Sequence, residues 1–448
     1  MKKIRIGGGA GFAGDRVDPA IELIRHGNLD YILFECLAER TIGLSRQEMM
    51  ADQTKGYSRL LEYRMSQVLK EAHKHHVKII SNMGSVNPKG AVAKIMEIAA
   101  EQGLHGIKFA YVTGDDVLDN IEAHYGDDIY EFEGKIGDYK DRILSANAYI
   151  GSDGIVEALK NGADVVITGR VSDPTLTVAP LRYEFGWNVT DNPDQIGQSI
   201  LAGHLLECGG QVTGGYYAEP GKKDVPGVGH LGFPIIQVSE DGSFFVTKVP
   251  EAGGMVTPDT CAEQICYEIH DPTKYLTPDV VADFQQVKFT QVEKDVVKVE
   301  GATGRPKTET FKCSIGYRDC FIGDGEISYG GPGCLNRAKL ALEIIKERLE
   351  LVAPGQFDEL KFDLIGCNSL YWNPDYKYNE PSEVRVRVAG RARTKAVADL
   401  VPNEVEALYT NGPAGGCGAV KRTRDIVSVA SILVSRYDVK PEAKIFVV

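Results

Sequence analysis

The sequence has 448 residues, 43% of them hydrophobic and 25% charged, and a formal net charge of −13. A soluble chain of this length and composition forms about two or three domains with buried cores. The acidic balance argues against a nucleic acid or an anionic membrane as the main partner, because both require a basic surface. A small molecule is therefore the expected partner.

The first residues lead directly into a strand pattern, and no apolar run approaches the roughly 20 residues that cross a bilayer. We therefore expect a cytoplasmic protein that does not bind a membrane. The nine cysteines are scattered without a C-x-x-C pair, which predicts reduced thiols and not disulfides.

Up to about residue 235, short apolar runs alternate with amphipathic stretches. The runs predicted as strands are Ile4–Gly7, Tyr31–Phe34, Val77–Ile80, Ile107–Ala110 and Val165–Ile167. The stretches predicted as helices are Asp18–His26, Leu60–His75, Lys89–Gln102 and Asp153–Asn161. Repeated strand–helix units predict an α/β domain over residues 1–235, a mainly parallel sheet with helices on both faces.

Residues 236–448 read as a smaller α+β domain, because the strand patterns there alternate between apolar and polar residues. Helices are predicted at Leu335–Leu351 and Thr423–Tyr437. Gly-rich turns at 330–337 and 411–418 each precede one of these helix patterns. We expect the second turn, with Gly415 and Gly416, to contribute to a ligand site in a cleft between the two domains.

Six blocks in a fixed order resemble the AtuA-like family, named for acyclic terpene utilisation. They are GGGAGFAGDR at 7–16, FECLAERT at 34–41, NMGSVNP at 82–88, ITGRVSDPTL at 167–176, GHLLECGGQVTGG at 203–215 and NGPAGGCG at 411–418. The resemblance implies a role in the breakdown of branched terpenoid acids through coenzyme A thioesters. It brings no catalytic assignment with it.

The first block follows the first strand and precedes a helix, so its backbone amides are expected near a helix N-terminus. Two interpretations stay open: an anion cradle that uses Gly8, Gly9, Gly11 and Arg16, or only a tight turn. The spacing is not that of a P-loop, and Phe12 stands where a dinucleotide fingerprint requires glycine.

Polar residues follow several of the predicted strands, at the edge where parallel sheets bind ligands. Glu35 is the main acid–base candidate, with an ion pair to Arg40 as the alternative. Asn82 is expected to bind substrate, and Asp173 to take part in proton transfer. Arg170 is expected either to clamp a carboxylate or to bridge to Asp173.

His204, Glu207 and Cys208 share one face of a predicted helix that begins near Pro193. Their spacing does not provide a convincing set of three metal ligands, so no metal is predicted. His204 is a candidate for proton transfer, and a hydrogen bond from His204 to a backbone carbonyl is the alternative.

These observations predict a hydratase or other lyase that acts on a small organic acid or its acyl-CoA thioester, without a certain cofactor. The alternative is a non-catalytic ligand-binding or assembly subunit of a multi-chain enzyme. A homo-oligomer is expected in either case, with or without a small partner subunit.

Overall fold

The computed structural model describes residues 2–371 and 381–447. These residues form two compact units, one of residues 1–316 and 429–448 and one of residues 317–428. The division differs from the predicted boundary at residue 235, because the strand that begins at Pro234 pairs with the first strand of the chain and continues its sheet.

The strands in chain order are β1 Lys3–Ala10, β2 Tyr31–Phe34, β3 Lys78–Ser81, β4 Lys108–Thr113, β5 Ile143–Ala148, β6 Val165–Thr168, β7 Pro234–Ser239, β8 Phe244–Lys248, β9 Tyr275–Leu276, β10 Val281–Asp283, β11 Lys288–Glu293, β12 Val296–Glu300, β13 Thr303–Arg305, β14 Thr310–Gly330, β15 Phe357–Ile365, β16 Glu383–Ala392, β17 Cys417–Ser435 and β18 Glu442–Val447.

The α-helices are α1 Asp18–His26, α2 Glu39–Ala51, α3 Leu61–His75, α4 Pro88–Glu101, α5 Asp153–Lys160, α6 Thr175–Phe185, α7 Pro193–Glu207, α8 Pro258–Cys266, α9 Cys334–Val352, α10 Lys395–Ala398 and α11 Leu400–Asn411. Within the described residues, no helix combines the length and the apolar character that a membrane span needs.

A ten-stranded sheet forms the centre of the first unit, in the order β11-β12-β8-β7-β1-β2-β3-β6-β4-β18. The five strands β1, β2, β3, β6 and β4 run parallel, as predicted, and the flanking strands are antiparallel. The parallel strands are almost entirely buried, which explains their continuous apolar sequences. Their carboxyl ends share one edge of the sheet.

Helices cover both faces of the parallel strands. On one face, Ile32 and Phe34 of β2 belong to a core cluster with residues of α1, α3 and α4. On the other face, Leu33 lies beside Leu176 of α6 and Leu206 of α7. Because side chains of a strand alternate between faces, these two groups of helices lie on opposite sides of the sheet.

The second unit contains the strand order β15-β16-β14-β17 and helix α9, whose predicted limits are close to the observed ones. The helix predicted at Thr423–Tyr437 is wrong, because these residues lie mostly in strand β17. Its run of valine, isoleucine and serine residues suits a pleated strand, and Val427, Ile432 and Val434 are buried there.

Candidate active site

A pocket of about 250 Å³ lies at the carboxyl edge of the parallel strands. Its walls include Gly11 after β1, Glu35 after β2, Asp173 before α6 and Glu207 at the end of α7. A small cavity beside it is lined by Glu35, Asp173 and Glu207 again, together with Gly8. Three acidic residues therefore line the same space.

Glu35 is the first residue after the buried strand β2, which ends at Phe34. Its Oε1 accepts hydrogen bonds from Asn82 Nδ2 at 2.9 Å and from the Leu37 amide at 3.0 Å. Burial, and then the charge of Asp173, raise the pKa of Glu35 to about 8. Glu35 is therefore mostly protonated at neutral pH, and its second oxygen, Oε2, is left to carry the proton.

Asn82 is fully buried and does not line the pocket. While its Nδ2 donates to Glu35, its Oδ1 accepts a hydrogen bond from the Cys36 amide at 2.7 Å. The amide side chain thus fixes the segment after β2 and orients the Glu35 carboxyl group. Its contacts are those of a positioning residue.

Arg170 is 1% exposed, and all of its contacts are with the protein. Its guanidinium donates to the Val171 carbonyl at 2.7 Å, to the Leu37 carbonyl and to Asp173 Oδ1, and it lies over the Tyr149 ring at 4.6 Å. The bridge to Asp173 is thus present, and Arg170 does not extend into the pocket as a free clamp. Burial raises the pKa of Asp173 even though Arg170 opposes the shift.

His204 and Glu207 form a hydrogen-bonded pair on α7. His204 is fully buried, with Nδ1 2.7 Å from Glu207 Oε1 and Nε2 3.0 Å from the Gln264 carbonyl oxygen. Burial opposes the charging of His204, but the Glu207 carboxylate outweighs it and raises the pKa of His204. Burial also raises the pKa of Glu207 to about 7. His204 is therefore linked by a hydrogen bond to Glu207, which lines the pocket.

Gly8 and Gly9 lie inside β1, not in the turn that follows it. A Cβ on Gly8 would be 2.8 Å from the Leu206 carbonyl oxygen, and a Cβ on Gly9 would be 2.7 Å from Cε1 of Phe34. Neither residue has a positive φ. Gly8 therefore allows α7 to approach the sheet closely and lines a cavity of the site, whereas Gly9 leaves room for side chains of the neighbouring strand β2.

The turn after β1 holds a carboxylate of its own chain. Asp15 accepts hydrogen bonds from the Gly11 amide through Oδ2 and from the Arg16 amide through Oδ1, both at 2.9 Å. The Gly11 amide, one of those expected to cradle a ligand anion, is thus already paired, and so is the backbone amide of Arg16. Gly11 lines the pocket, whereas the side chain of Arg16 is exposed and lies outside the lining.

Gly415 and Gly416 belong to the second compact unit, in the turn that leads into β17. Gly415 has a φ of +75°, and Arg337 donates to the neighbouring Ala414 carbonyl at 2.9 Å. The turn precedes a strand and not the predicted helix. A contribution of these two glycines to a ligand site stays a prediction.

Cys36 lines the pocket, but burial raises the pKa of its thiol to about 12, in spite of the nearby Arg64 guanidinium. A thiolate nucleophile is therefore disfavoured at neutral pH. Within residues 2–371 and 381–447, no group of three or more His, Cys, Asp and Glu side chains is arranged to hold a metal ion.

The family model described as acyclic terpene utilisation family protein AtuA matches residues 4–445, nearly the whole chain. The chain belongs to this family. The match confirms the resemblance seen in the six sequence blocks and connects the protein with acyclic terpene utilisation. Comparisons with curated proteins and with solved structures give no significant match.

The sequence analysis named Glu207 of this AtuA family protein only within a rejected set of metal ligands, and it missed two further pocket residues, Tyr267 and Glu268. A signal for Glu207 existed, since it lies one helical turn after His204. Tyr267 and Glu268 follow α8, far from the other site residues in sequence, and only the tertiary structure brings them to the pocket. Glu268 has a φ of +60°, an uncommon conformation for a residue other than glycine.

Proposed function

We propose that this AtuA family protein is an acid–base lyase of the hydratase type that acts on an acyl thioester. The observation that carries the proposal is the set of three carboxyl groups, Glu35, Asp173 and Glu207, around one pocket. Glu35 is held largely protonated and Glu207 is paired with a histidine, so the site offers an acid and a base to one substrate.

Removal of water next to a carbonyl needs a base for the Cα proton and an acid for the departing hydroxyl. Glu207 Oε2 is buried and has no hydrogen-bond partner among the described residues, which suits it to accept the Cα proton. Glu35 Oε2 donates its proton to the hydroxyl, which leaves as water. The proton gained by Glu207 then returns to Glu35 before the next turnover, and hydration follows the same steps in reverse.

The charge of the pocket favours a neutral thioester over a free carboxylate. Five acidic residues line it, and the buried Arg170 is engaged with Asp173 and two backbone carbonyls. The five acidic residues are Glu35, Glu39, Asp173, Glu207 and Glu268. A substrate carboxylate would meet like charges, and the described residues of the lining include no cation to offset them, whereas a thioester carbonyl only has to accept a hydrogen bond.

The test is an assay of the purified protein with branched enoyl-CoA thioesters and the corresponding hydroxyacyl-CoA thioesters. We expect interconversion, and a fall in kcat of about 100-fold or more in Glu35→Gln and Glu207→Gln. Glu97→Gln is the matched control, because Glu97 is an exposed helix residue, and it should match the wild type.

A different result supports the alternative of a binding or assembly subunit. If the thioesters raise the melting temperature but the purified protein turns none of them over, the lyase proposal is wrong. The lyase proposal is also wrong if Glu35→Gln and Glu207→Gln both retain wild-type turnover.

A further inference from the structure

A second chamber of about 250 Å³ adjoins the pocket of the carboxyl groups. Four residues line both spaces, namely Ala13, Cys36, Leu37 and Thr41. The rest of the chamber is mainly apolar, with Leu44 of α2 and Leu60 among its walls. A ligand whose carbonyl lies beside Glu35 therefore has apolar space next to it.

Two serine residues of this chamber have hydroxyls without partners in the part of the chain that the structure describes. Ser58 is 8% exposed and Ser85 is 1% exposed, and the Oγ atom of each is buried and makes no hydrogen bond to a described residue. A buried hydroxyl without a partner costs free energy, so its presence calls for an explanation. Both residues line the chamber, and a polar group of a ligand there would pair them.

Ser58 and Ser85 come from loops that are joined by backbone hydrogen bonds. The Ser58 amide donates to the Met83 carbonyl at 2.8 Å, and the Val86 amide donates to the Gly56 carbonyl at 3.1 Å. Ser85 has a φ of +48°, an uncommon conformation for a residue other than glycine. The two loops that carry these serines are thus joined to each other at the chamber.

The charges of the chamber are paired within the protein, because Arg59 forms an ion pair with Glu48 and both line the space. The group that fits the serines is therefore neutral, and a hydroxyl matches them because it can both donate and accept. Since a cavity of about 150 Å³ holds benzene, a chamber of this size accommodates a ligand of roughly ten non-hydrogen atoms.

We propose that this chamber binds the branched apolar chain of the substrate and pairs a hydroxyl group on that chain with Ser58 and Ser85. The proposal rests on the proposed function only for the carbonyl end of the ligand. It names the substrate class as a carbonyl compound with a short apolar chain that carries a distal hydroxyl.

The test compares two methyl ketones by calorimetric titration, 6-methylheptan-2-one and its hydroxylated analogue 6-hydroxy-6-methylheptan-2-one. We expect the wild type to bind the hydroxylated ketone roughly tenfold more tightly, as for one net hydrogen bond in a buried site. The double variant Ser58→Ala/Ser85→Ala should lose this preference. It should keep its affinity for the parent ketone and its melting temperature, because no hydrogen bond within the protein is lost.

Filling the chamber supplies the second arm. Leu44→Trp should weaken both ketones at least tenfold, whereas Met50→Trp, at an exposed position on the same helix, should not. The proposal is overturned if Leu44→Trp leaves both affinities unchanged, if neither ketone binds the wild type, or if the serine variant keeps the preference. A fall in melting temperature of the serine variant would instead assign the hydroxyls a structural role and would also overturn it.

These outcomes are separate from those of the proposed function, because binding is measured without turnover. If no thioester is converted but the ketones behave as expected, only the lyase proposal fails. If the thioesters are converted and Leu44→Trp has no effect on ketone affinity, only the chamber proposal fails.

Discussion

His204 and Glu207 share a single proton across the 2.7 Å that separates Nδ1 from Oε1. The Gln264 carbonyl can only accept, so His204 Nε2 must carry a hydrogen. One further proton then lies between Nδ1 and Oε1, on the imidazole or on the carboxyl group. The pair can therefore take up or release a proton at the pocket without leaving two isolated charges in the interior.

The first prediction concerns the loss of this pair in His204→Phe, which keeps a ring beside Tyr275. Because His204 lowers the pKa of Glu207, the variant should raise that pKa above its value of about 7. The acidic limb of the pH–rate profile of kcat, which reports the ionisation of Glu207, should then move to higher pH. The unpaired Gln264 carbonyl should also lower the free energy of unfolding by about 1–3 kcal/mol.

The control for this prediction is His230→Phe, since His230 is exposed. It should leave the profile unchanged. A His204→Phe profile that overlays the wild-type one would show that Glu207 is not the group that titrates in turnover.

The second prediction concerns the pH dependence of stability in Glu35→Gln. The native pKa of Glu35 is about 8 against an ordinary value of 4.5. Between these two pH values the native state keeps a proton that the unfolded state has lost, so this group makes stability fall as pH rises. The slope is at most about 1.4 kcal/mol per pH unit. Glutamine stays neutral in both states, so the variant should gain stability relative to the wild type as pH rises.

Urea unfolding at several pH values between about 5 and 8 measures this effect. The Glu97→Gln variant should follow the wild-type curve. Parallel curves for the wild type and Glu35→Gln would mean that Glu35 is ionised in the native protein at neutral pH.

The third prediction concerns Gly11, which is next to the end of α7. A Cβ on Gly11 would lie 2.4 Å from the Cys208 carbonyl carbon, a backbone atom, so Gly11→Ala must displace either the turn or the helix end. We expect a loss of about 1–3 kcal/mol in the free energy of unfolding. Turnover should fall as well, because Glu207 precedes the displaced residue. Gly126→Ala is the matched control, since nothing lies within 4 Å of its Cβ position.

Thermal unfolding and turnover, measured on both glycine variants, check this. If Gly11→Ala and Gly126→Ala have equal melting temperatures, the close approach of Gly11 to Cys208 is not needed for the native fold.

The parallel strands and the sheet edge that holds the site could be predicted from the sequence. The apolar runs mark the buried strands, and the polar residues that follow each run lie at the carboxyl ends of the strands, which share one edge. Glu35 was recognisable for the same reason, as a carboxyl group at the end of a buried strand. Asp173, which follows β6, lies near Glu35 because β6 is two strands away from β2 in the sheet. This order of strands is a property of the tertiary structure and is not visible in the sequence.

Other features could not be predicted because they depend on competition between partners. The glycine-rich turn offers amides to any anion, and only the fold shows that Asp15 occupies them. The sequence likewise left two interpretations of Arg170, and only the fold shows that its guanidinium donates to two backbone carbonyls. In β17, helical periodicity in the sequence was outweighed by pairing with neighbouring strands, a tertiary effect.

The last prediction concerns Arg170, whose fully buried guanidinium joins Asp173 to two backbone carbonyls. Arg170→Met removes the charge and leaves two backbone carbonyls and Asp173, whose side chain is 36% exposed, without their donor, so we expect the free energy of unfolding to fall by about 1–3 kcal/mol. Arg170→Lys keeps a positive charge but cannot serve three acceptors in different directions, so its loss should be smaller.

Arg170→Met should also raise the pKa of Glu35 above about 8, because it removes the positive charge that lowers this pKa. Urea unfolding gives the stability, and titration of the folded Arg170→Lys variant with an acyl-CoA thioester gives its affinity. If Arg170 serves the protein scaffold, stability falls and the affinity of the folded variant stays within about threefold of the wild type, less than one hydrogen bond to a charged group would contribute. Unchanged stability with a large loss of affinity would reverse the assignment and make Arg170 a ligand clamp.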